Sequence, residues 1–315
     1  MLDLVLYSEA LIEMVQAAEY EGLTWFWIAI TRLGGLYVLP LLVGVIFYAV
    51  DKKTGYWIGL VVTLGVYLNG FLKGLISIPR PGMLEIGEMT SYAERLQIGS
   101  DLGILPGVEY ETAGIPSGHS QGSMVFWGSV GFELKKLMWL FLAVIPLMVG
   151  FSRIYLGVHY LADVISGLAI GFGFVYLSYS YREMLYGYFS DFSLRGKVLS
   201  PLIVFSLLAA LVFFFDRRLV ILMGGMAGWI IGYVFETRYV GFEPKYHSHT
   251  GRILNLVVVG LLLLPIAAFL EFSGIPLEVF EYPETGLMAA GVFFAGLIFG
   301  ILLTLVFPWV LVKLR

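Results

Sequence analysis

The chain has 315 residues, of which 59% are hydrophobic and 13% are charged, and its mean hydropathy is +0.88. Soluble domains carry about 25% charged residues, so this composition excludes a soluble globular domain, a coiled coil, a disordered chain and a free nucleic-acid binder. A multi-pass membrane protein remains. The chain has no cysteine, which excludes disulfides and thiolate metal sites, and its net charge of -4 is too small to indicate a partner.

The first segment, residues 1–21, is acidic and carries no lysine or arginine, which is not the pattern of a cleaved signal peptide. Apolar residues recur there at helical spacing, opposite Glu9, Glu13 and Gln16. This pattern indicates an amphipathic helix that lies in the membrane interface. A solvated helical tail is the alternative that the sequence leaves open.

The apolar segments that follow are long enough to cross a bilayer, for which a helix needs roughly 20 residues. They predict an all-α, polytopic membrane bundle of about nine transmembrane helices. The predicted spans cover 29–50, 56–78, 117–133, 137–152, 160–180, 199–215, 219–237, 253–272 and 286–311.

The orientation of the bundle follows from its positive charges, because lysine and arginine accumulate in cytoplasmic loops. Placing the loop around Lys52 and Lys53 inside puts most of the 19 lysines and arginines on that side. The acidic N-terminus and the polar stretch 82–115 then lie outside. A stretch of that length is either a lid over a site or an ordinary outer loop.

A first charged cluster lies near the outer end of the second span, where Lys73 is followed by Arg80 and Pro81. Lys73 and Arg80 are two helical turns apart and share a face if the helix persists, although proline argues that it ends there. Two cations in this arrangement suit an anion with several oxygens. Alternatively, they are snorkelling residues that anchor a helix end.

A second cluster, Pro116-Ser117-Gly118-His119, begins the third span. Free backbone N–H groups at a helix start bind anions, and glycine permits close approach. Ser117 adds a hydroxyl donor, and His119 adds a group that can shuttle a proton near neutral pH. Taken alone, the cluster also fits a helix cap with a satisfied histidine.

A third cluster contains Arg153, His159 and Asp163 at the same predicted face of the membrane. His159 and Asp163 are four residues apart, so the carboxylate can accept the imidazole N–H and fix its tautomer. The other ring nitrogen is then available as a nucleophile, and Arg153 offers a guanidinium for phosphate oxygens. An interfacial ion pair is the alternative. Together the three clusters predict a phosphate site with its own nucleophile and acid.

These residues closely resemble the signature motifs of the type 2 phosphatidic acid phosphatase (PAP2) family. That family is the membrane branch of the superfamily that includes vanadium haloperoxidases and bacterial acid phosphatases. The likeness covers roughly residues 73–163. Its fixed positions are Lys73, Arg80-Pro81, Pro116-Ser117-Gly118-His119, Ser152-Arg153, His159 and Asp163.

The resemblance implies a role for each matched residue. His159 would attack phosphorus and become phosphohistidine, Asp163 would orient it, and His119 would protonate the leaving oxygen and then activate water. The phosphoryl oxygens would be held by Lys73, Arg80, Ser117, Gly118 and Arg153. The family needs no metal or other cofactor, and its haloperoxidase members bind vanadate in the corresponding pocket.

The amphipathic pattern and the resemblance together predict three parts: an interfacial helix at 1–21, a PAP2-like catalytic membrane core at 22–185 and additional transmembrane helices at 186–315. Within the last part, the loop 236–252 is the densest polar run and contains His247 and His249. It is read as a charged loop with local ion pairs or as a homodimer contact, rather than as a metal site.

The predicted function is hydrolysis of a lipid phosphate at the extracytoplasmic face of the cell membrane. The expected substrates are a polyprenyl (di)phosphate, phosphatidate or a related lipid; the expected partners are membrane lipids, without nucleic acid. Two alternatives stay open: a phosphotransferase that uses the same phosphohistidine, and a transporter that uses the basic residues only to bind an anion.

Overall fold

The computed structural model of the chain describes residues 6–18, 20–35, 38–76, 80–81, 113–134, 138–214, 216–272 and 283–314. These residues form helices and no strands, so the all-α prediction is confirmed for this part of the chain. The polar stretch predicted as a lid or an outer loop lies, from residue 82 to 112, outside the described residues.

The described residues contain one short 3-10 helix, Pro244–Tyr246, and twelve helices, two of which include a π-helical turn. They are α1 (Glu9–Gln16), α2 (Glu21–Arg32), α3 (Val38–Val45, continued as a π-helix over Ile46–Val50), α4 (Lys52–Leu75), α5 (Gly118–Leu134), α6 (Met138–Tyr155), α7 (Leu161–Ser180), α8 (Arg182–Ser190), α9 (Leu194–Val212), α10 (Leu219–Tyr239), α11 (His249–Phe272) and α12 (Gly286–Ile301, continued through the π-helix Leu302–Val306 and Phe307–Lys313).

Six described helices are long and apolar enough to cross a membrane, which confirms a multi-pass membrane protein. The predicted count of nine spans stays a prediction, because two further apolar helices are shorter, Val38–Val50 and Ala143–Tyr155. The six long helices are Lys52–Leu75, Leu161–Ser180, Leu194–Val212, Leu219–Tyr239, His249–Ile266 and Gly286–Lys313.

The prediction of one continuous span over 29–50 is wrong. Helix α2 ends at Arg32, and α3 begins only at Val38. The break has a steric reason at Gly34, where a Cβ atom would lie 2.6 Å from the main-chain oxygen of His119. The two glycines at 34 and 35 therefore let the backbone turn in close contact with the start of α5.

The N-terminal amphipathic pattern does form a helix, α1, which begins after Ser8; the Ser8 hydroxyl accepts from Leu11 N–H. Its location in the membrane interface stays a prediction, but part of its apolar face packs on the protein. Ile12 is buried against Ile154, Tyr160 and Val164. The helix is therefore held on the protein by the hydrophobic effect as well as by its polar contacts.

The chain divides into two compact units, of which the first comprises residues 1–41 and 64–181. Its centre is built by α5 with α6 and α7, and small residues bring these helices close together. A Cβ atom at Gly150 would lie 2.7 Å from Val164, and one at Gly171 would lie 2.9 Å from the main-chain oxygen of Gln121. This tight packing fixes the loop between α6 and α7 against the start of α5.

The second unit comprises residues 42–63 and 182–315. Helices α10 and α12 pack so closely that a Cβ atom at Gly224 or Gly228 would overlap the backbone of α12. Small residues of this kind allow membrane helices to approach without side chains between them. An aromatic core of Phe47, Tyr48 and Phe242 lies in the same unit. The division into segments 1–21, 22–185 and 186–315 stays a prediction.

The ion-pair interpretation of the loop 236–252 is confirmed. Glu243 lies 3.4 Å from the ammonium group of Lys52 and 3.6 Å from that of Lys245. His247 Nδ1 lies 3.0 Å from Asn255 Nδ2. The homodimer contact stays a prediction.

Candidate functional site

The site begins with the pair His159 and Asp163 at the start of α7. Nδ1 of His159 lies 3.1 Å from Oδ2 of Asp163, and both side chains are buried. The same carboxylate oxygen accepts the main-chain N–H of Tyr160 over 3.0 Å. An acidic residue in the first turn of a helix is also stabilised by the helix dipole. The first turn of α7 thus fixes the Asp163 side chain. When its carboxylate accepts the proton on Nδ1 of His159, Nε2 of that ring keeps its lone pair.

The main chain of Asp163 connects this pair to the second cluster. Its carbonyl oxygen accepts the N–H of Ser117 over 2.9 Å. The buried Ser117 hydroxyl oxygen accepts two hydrogen bonds from Ser120, one from its hydroxyl over 3.0 Å and one from its main-chain N–H over 3.4 Å. The second bond caps the first turn of α5. The predicted second and third clusters therefore meet through one backbone hydrogen bond.

Helix α5 begins at Gly118, and His119 is its second residue. The first main-chain N–H groups of a helix have no partner inside the helix, and they form an anion-binding position. A Cβ atom at Gly118 would lie 3.2 Å from Oδ1 of Asn69, so glycine keeps this helix start close to α4. The predicted anion-binding character of the segment is compatible with this geometry.

Two side-chain amides, the partly buried Asn69 and the buried Gln121, connect α4 to the start of α5. Asn69 donates through Nδ2 to the Pro116 carbonyl over 3.1 Å and to Oε1 of Gln121 over 2.9 Å. Gln121 in turn donates through Nε2 to the Gly65 carbonyl over 3.0 Å. This amide pair holds the segment that carries Lys73 against the segment that carries His119.

Lys73 lies in the last turn of α4, which ends at Leu75. Arg80 lies beyond the end of that helix, so the two residues do not share one continuous helical face. Arg80 is 8% exposed, whereas Lys73 is only partly buried. Both cations are close enough to act electrostatically on His159 and His119. The structure therefore brings the first predicted cluster to the same site as the other two.

Arg153 lies in the last turn of α6 and is almost completely buried. Its Nη1 donates to the hydroxyl oxygen of Thr31 over 3.1 Å. Its charge acts on both histidines. A buried guanidinium beside two histidines is suited to a planar, bidentate interaction with phosphate oxygens.

The electrostatics of the site favour an unprotonated nucleophile. Burial lowers the pKa of His159 well below its ordinary value, and the positive charges of Arg80, Arg153 and Lys73 lower it further.

At the next residue, burial and the neighbouring carboxylate of Glu9 raise the pKa of Tyr160 to about 12. The Tyr160 phenol therefore stays protonated and donates to Oε1 of Glu9 over 3.2 Å.

All eight predicted site residues lie in the first compact unit, around the starts of α5 and α7 and the ends of α4 and α6. Among the described residues, no three histidine, aspartate or glutamate side chains gather as metal ligands. Chemically, the arrangement offers one oriented imidazole, a second imidazole for proton transfer and three cations for a tetrahedral oxyanion.

Sequence reasoning missed the polar residues that hold these groups in place. Asn69 is a polar residue inside an apolar segment, Thr31 directly precedes Arg32, and Gln121 lies in the polar run 117–123. A polar group inside a membrane helix needs a partner. Asn69 also lies one helical turn before Lys73. The free-energy cost of a polar side chain inside a membrane helix, together with its closeness to a predicted site residue, is the signal that could have identified Asn69.

Comparison with known proteins places these motifs in a recognised context. Residues 54–186 match the model of the PAP2 superfamily. Phosphatidylglycerophosphatase B of Bacillus subtilis is 29% identical over 175 residues, which are 50% of this chain and 73% of that protein. Lipid phosphate phosphatase delta of Arabidopsis thaliana is 27% identical over 153 residues, 42% of this chain and 34% of that protein.

A shorter similarity, 38% over 75 residues, relates the chain to lipid A 4'-phosphatase of Porphyromonas gingivalis; it covers 22% of this chain and 31% of that protein. The chain thus spans about a third of the length of two of these relatives. The crystal structure of a transmembrane PAP2 type phosphatidylglycerolphosphate phosphatase from Bacillus subtilis is similar at 24% identity, with a TM-score of 0.42. That similarity covers 56% of this chain and 84% of the other.

Proposed function

Since this chain belongs to the PAP2 superfamily through residues 54–186, we propose that it is a lipid-phosphate phosphatase that works without a metal through a phosphohistidine intermediate. The observation that carries the proposal is the buried pair of His159 and Asp163, with Nδ1 and Oδ2 3.1 Å apart, surrounded by the charges of three cations.

In the first step, Nε2 of His159 attacks phosphorus while the bond from phosphorus to the lipid oxygen breaks. His119 gives its proton to that oxygen, so the lipid leaves as an alcohol, or as a monophosphate when the substrate is a diphosphate. Asp163 stabilises the imidazolium that forms. In the second step, His119 accepts a proton from water, the water oxygen attacks phosphorus, and inorganic phosphate leaves as the bond to His159 breaks.

The negative charge that develops on the phosphoryl oxygens is the largest barrier to this chemistry, and preorganised donors are the most effective way to lower it. We assign that role to Lys73, Arg80 and Arg153, together with the Ser117 hydroxyl and the first main-chain N–H groups of α5. The amide pair and the Ser117–Asp163 hydrogen bond hold the backbone of Ser117 and the start of α5 in place before substrate binds.

The substrate class is a membrane lipid that carries a terminal phosphate. The relatives are named for activity on phosphatidylglycerophosphate, on lipid phosphates and on lipid A. The distribution of lysine and arginine favours a site that faces the extracytoplasmic side of the cell membrane. Polyprenyl (di)phosphates that carry glycans to that side are therefore among the substrates to test.

Phosphate release by the purified protein in detergent, with EDTA present, tests the proposal. The panel contains a polyprenyl diphosphate, a polyprenyl monophosphate, phosphatidate, phosphatidylglycerophosphate, lipid A and a water-soluble phosphomonoester. We expect release from at least one lipid by the wild-type protein, and a loss of several orders of magnitude for His159→Ala.

Three results would contradict the proposal in different ways. Unchanged activity of His159→Ala would exclude the phosphohistidine. Inhibition by EDTA that a divalent cation reverses would exclude the metal-free mechanism. Phosphate transfer to an added lipid or sugar alcohol, without release to water, would identify a phosphotransferase instead.

A further inference from the structure

A hydroxyl group from outside the family-matched segment contacts the buried arginine of the site. Thr31 lies on α2, before the matched residues 54–186 begin. Its Oγ1 accepts from Nη1 of Arg153 over 3.1 Å, and the exposed fractions of the two side chains are 2% and 1%. This is a hydrogen bond between a buried charge and a neutral acceptor, in a place that water does not reach.

The position of Thr31 is fixed by the packing of α2 along α6. Two turns earlier on the same helix, the Thr24 hydroxyl lies 3.0 Å from the Tyr155 hydroxyl. Between them, the ring of Trp27 lies 4.8 Å from that of Phe151, measured between centroids. Helix α2 therefore presents Thr31 to Arg153 as part of a rigid contact.

The turn that follows α2 approaches the second histidine of the site. A Cβ atom at Gly35 would lie 3.7 Å from Nε2 of His119, and one at Gly34 would lie 2.6 Å from the His119 carbonyl oxygen. The segment from Thr31 to Gly35 therefore touches both a cation and a histidine to which the proposed reaction assigns roles. It forms one wall of the site.

We infer that Thr31 is a positioning residue, which orients the guanidinium of Arg153 toward the phosphoryl oxygens of the substrate. This inference rests on the proposed function, because that function gives Arg153 its role. Guanidinium is planar and its five N–H donors have a fixed geometry. When Thr31 accepts one N–H, the plane of the group is set and its remaining donors keep a defined direction before substrate arrives.

The test compares Thr31→Val with Thr24→Val. Valine matches the shape of threonine but has no hydroxyl, and both threonines are buried on the same face of α2 and bonded to α6. Only Thr31 contacts a residue of the proposed site. Thr31→Ser keeps the acceptor oxygen, and it is the variant that should restore function.

Two quantities are measured on protein purified in detergent: the dissociation constant for vanadate, by calorimetry, and kcat/KM for the lipid phosphate that wild type hydrolyses best. For Thr31→Val we expect both to worsen by about tenfold or more, the scale of a hydrogen bond to a charged group. Thr24→Val should match wild type within about threefold in vanadate affinity, even where its melting temperature falls equally. Thr31→Ser should lie within about threefold of wild type.

Equal vanadate affinity for Thr31→Val and Thr24→Val would overturn the inference, because Thr31 would then act only on stability. Failure of Thr31→Ser to restore affinity would also overturn it. If Thr31→Val cannot be purified, the Ser variant and Thr31→Ala are compared in its place, with the same expected order. If the wild-type protein binds vanadate but hydrolyses no lipid phosphate, the proposed function is rejected. The comparison of vanadate affinities then still decides whether Thr31 positions Arg153. A wild type that binds no vanadate would overturn both.

Discussion

The main-chain N–H of Ser117 donates to the carbonyl oxygen of Asp163 over 2.9 Å, and this bond joins the starts of α5 and α7. The helices can approach so closely because residue 167, one turn further along α7, is glycine. A Cβ atom there would lie 2.7 Å from the carbonyl oxygen of Ser117 and 3.2 Å from Gln121 N. The absence of one methyl group therefore sets the distance between the anion-binding turn and the nucleophile pair.

We expect Gly167→Ala to lower kcat for lipid-phosphate hydrolysis by about tenfold or more, because the added methyl pushes Ser117 and Asp163 apart and a shift below 1 Å is costly in a preorganised site. The control is Gly173→Ala on the same helix, where a Cβ atom would meet no atom within 4 Å. Steady-state kinetics of both variants, with melting temperatures measured alongside, check the prediction. Equal kinetics for the two variants would contradict it.

The amide pair of Asn69 and Gln121 leads to a second prediction. Asn69→Ala removes the donors to the Pro116 carbonyl and to Oε1 of Gln121. Each buried polar group left without a partner costs about 1–3 kcal/mol. We therefore expect a lower melting temperature and a fall in kcat/KM of about tenfold or more.

The matched control for Asn69→Ala is Asn255→Ala, since Asn255 is a buried asparagine of the second unit that donates to the Tyr48 carbonyl over 2.8 Å. It should lose stability, and at a temperature where both variants are folded it should keep the activity of wild type. A loss of kcat/KM in Asn255→Ala as large as that in Asn69→Ala would show that the effect on activity is not specific to the amide pair.

The sequence predicted the composition of the site better than its construction. The eight predicted residues all lie in one unit, because motifs at the ends of spans on one membrane face must come to a common depth. The prediction failed at 29–50, because the apolar composition of the segment indicated one continuous span and gave no sign of the turn that Gly34 permits. Thr31 and Asn69 were not predicted, because the sequence around a polar residue does not show which residue it will bond to; tertiary packing determines that partner.

The low pKa of His159 predicts activity that persists into mildly acidic solution. The imidazole must be unprotonated to attack, so activity is lost as the pH falls through its pKa in the folded protein. Because burial and the charges of Arg80, Arg153 and Lys73 lower that pKa, the acid limb of kcat/KM should lie below about 6.5, the ordinary value for histidine. The pH dependence of kcat/KM in wild type measures it.

Removing one of the cations separates this effect from ionisation of the substrate. Arg80→Gln lowers activity but also removes a positive charge that acts on His159, so the acid limb should move to higher pH. Wild type and Arg80→Gln are compared on the same lipid phosphate, because the ionisation of the substrate is then common to both profiles. An acid limb that stays at the same pH in the variant would contradict the electrostatic origin of the shift.

In the second unit, Lys52 and Glu236 form a buried ion pair, with Nζ 2.9 Å from Oε2 and 3.2 Å from Oε1. Lys52 is 2% exposed and Glu236 is fully buried. Removing one partner of such a pair leaves a buried charge without its partner and costs about 3–5 kcal/mol, whereas removing both is much less costly. Lys52→Met leaves the buried Glu236 carboxylate without its cation and should lower the free energy of unfolding by about 3–5 kcal/mol. Glu236→Gln should lower it by less, because Lys52 keeps its ion pair with Glu243.

The double variant Lys52→Met/Glu236→Gln should be more stable than Lys52→Met alone. The two buried charges disappear together, and the glutamine oxygen can still accept the main-chain N–H of Phe242, which bonds to Oε1 over 2.6 Å. Lys245→Met is the control, because its pairs with Asp51 and Glu243 are partly exposed and such pairs contribute about 0–1 kcal/mol. Denaturant titrations in one detergent compare wild type with the four variants. The prediction is contradicted if the double variant loses as much free energy of unfolding as the two single variants together, because the two charges would then not stabilise each other. The stability of the loop 236–252 would in that case come from the packing of Phe242 and its neighbours.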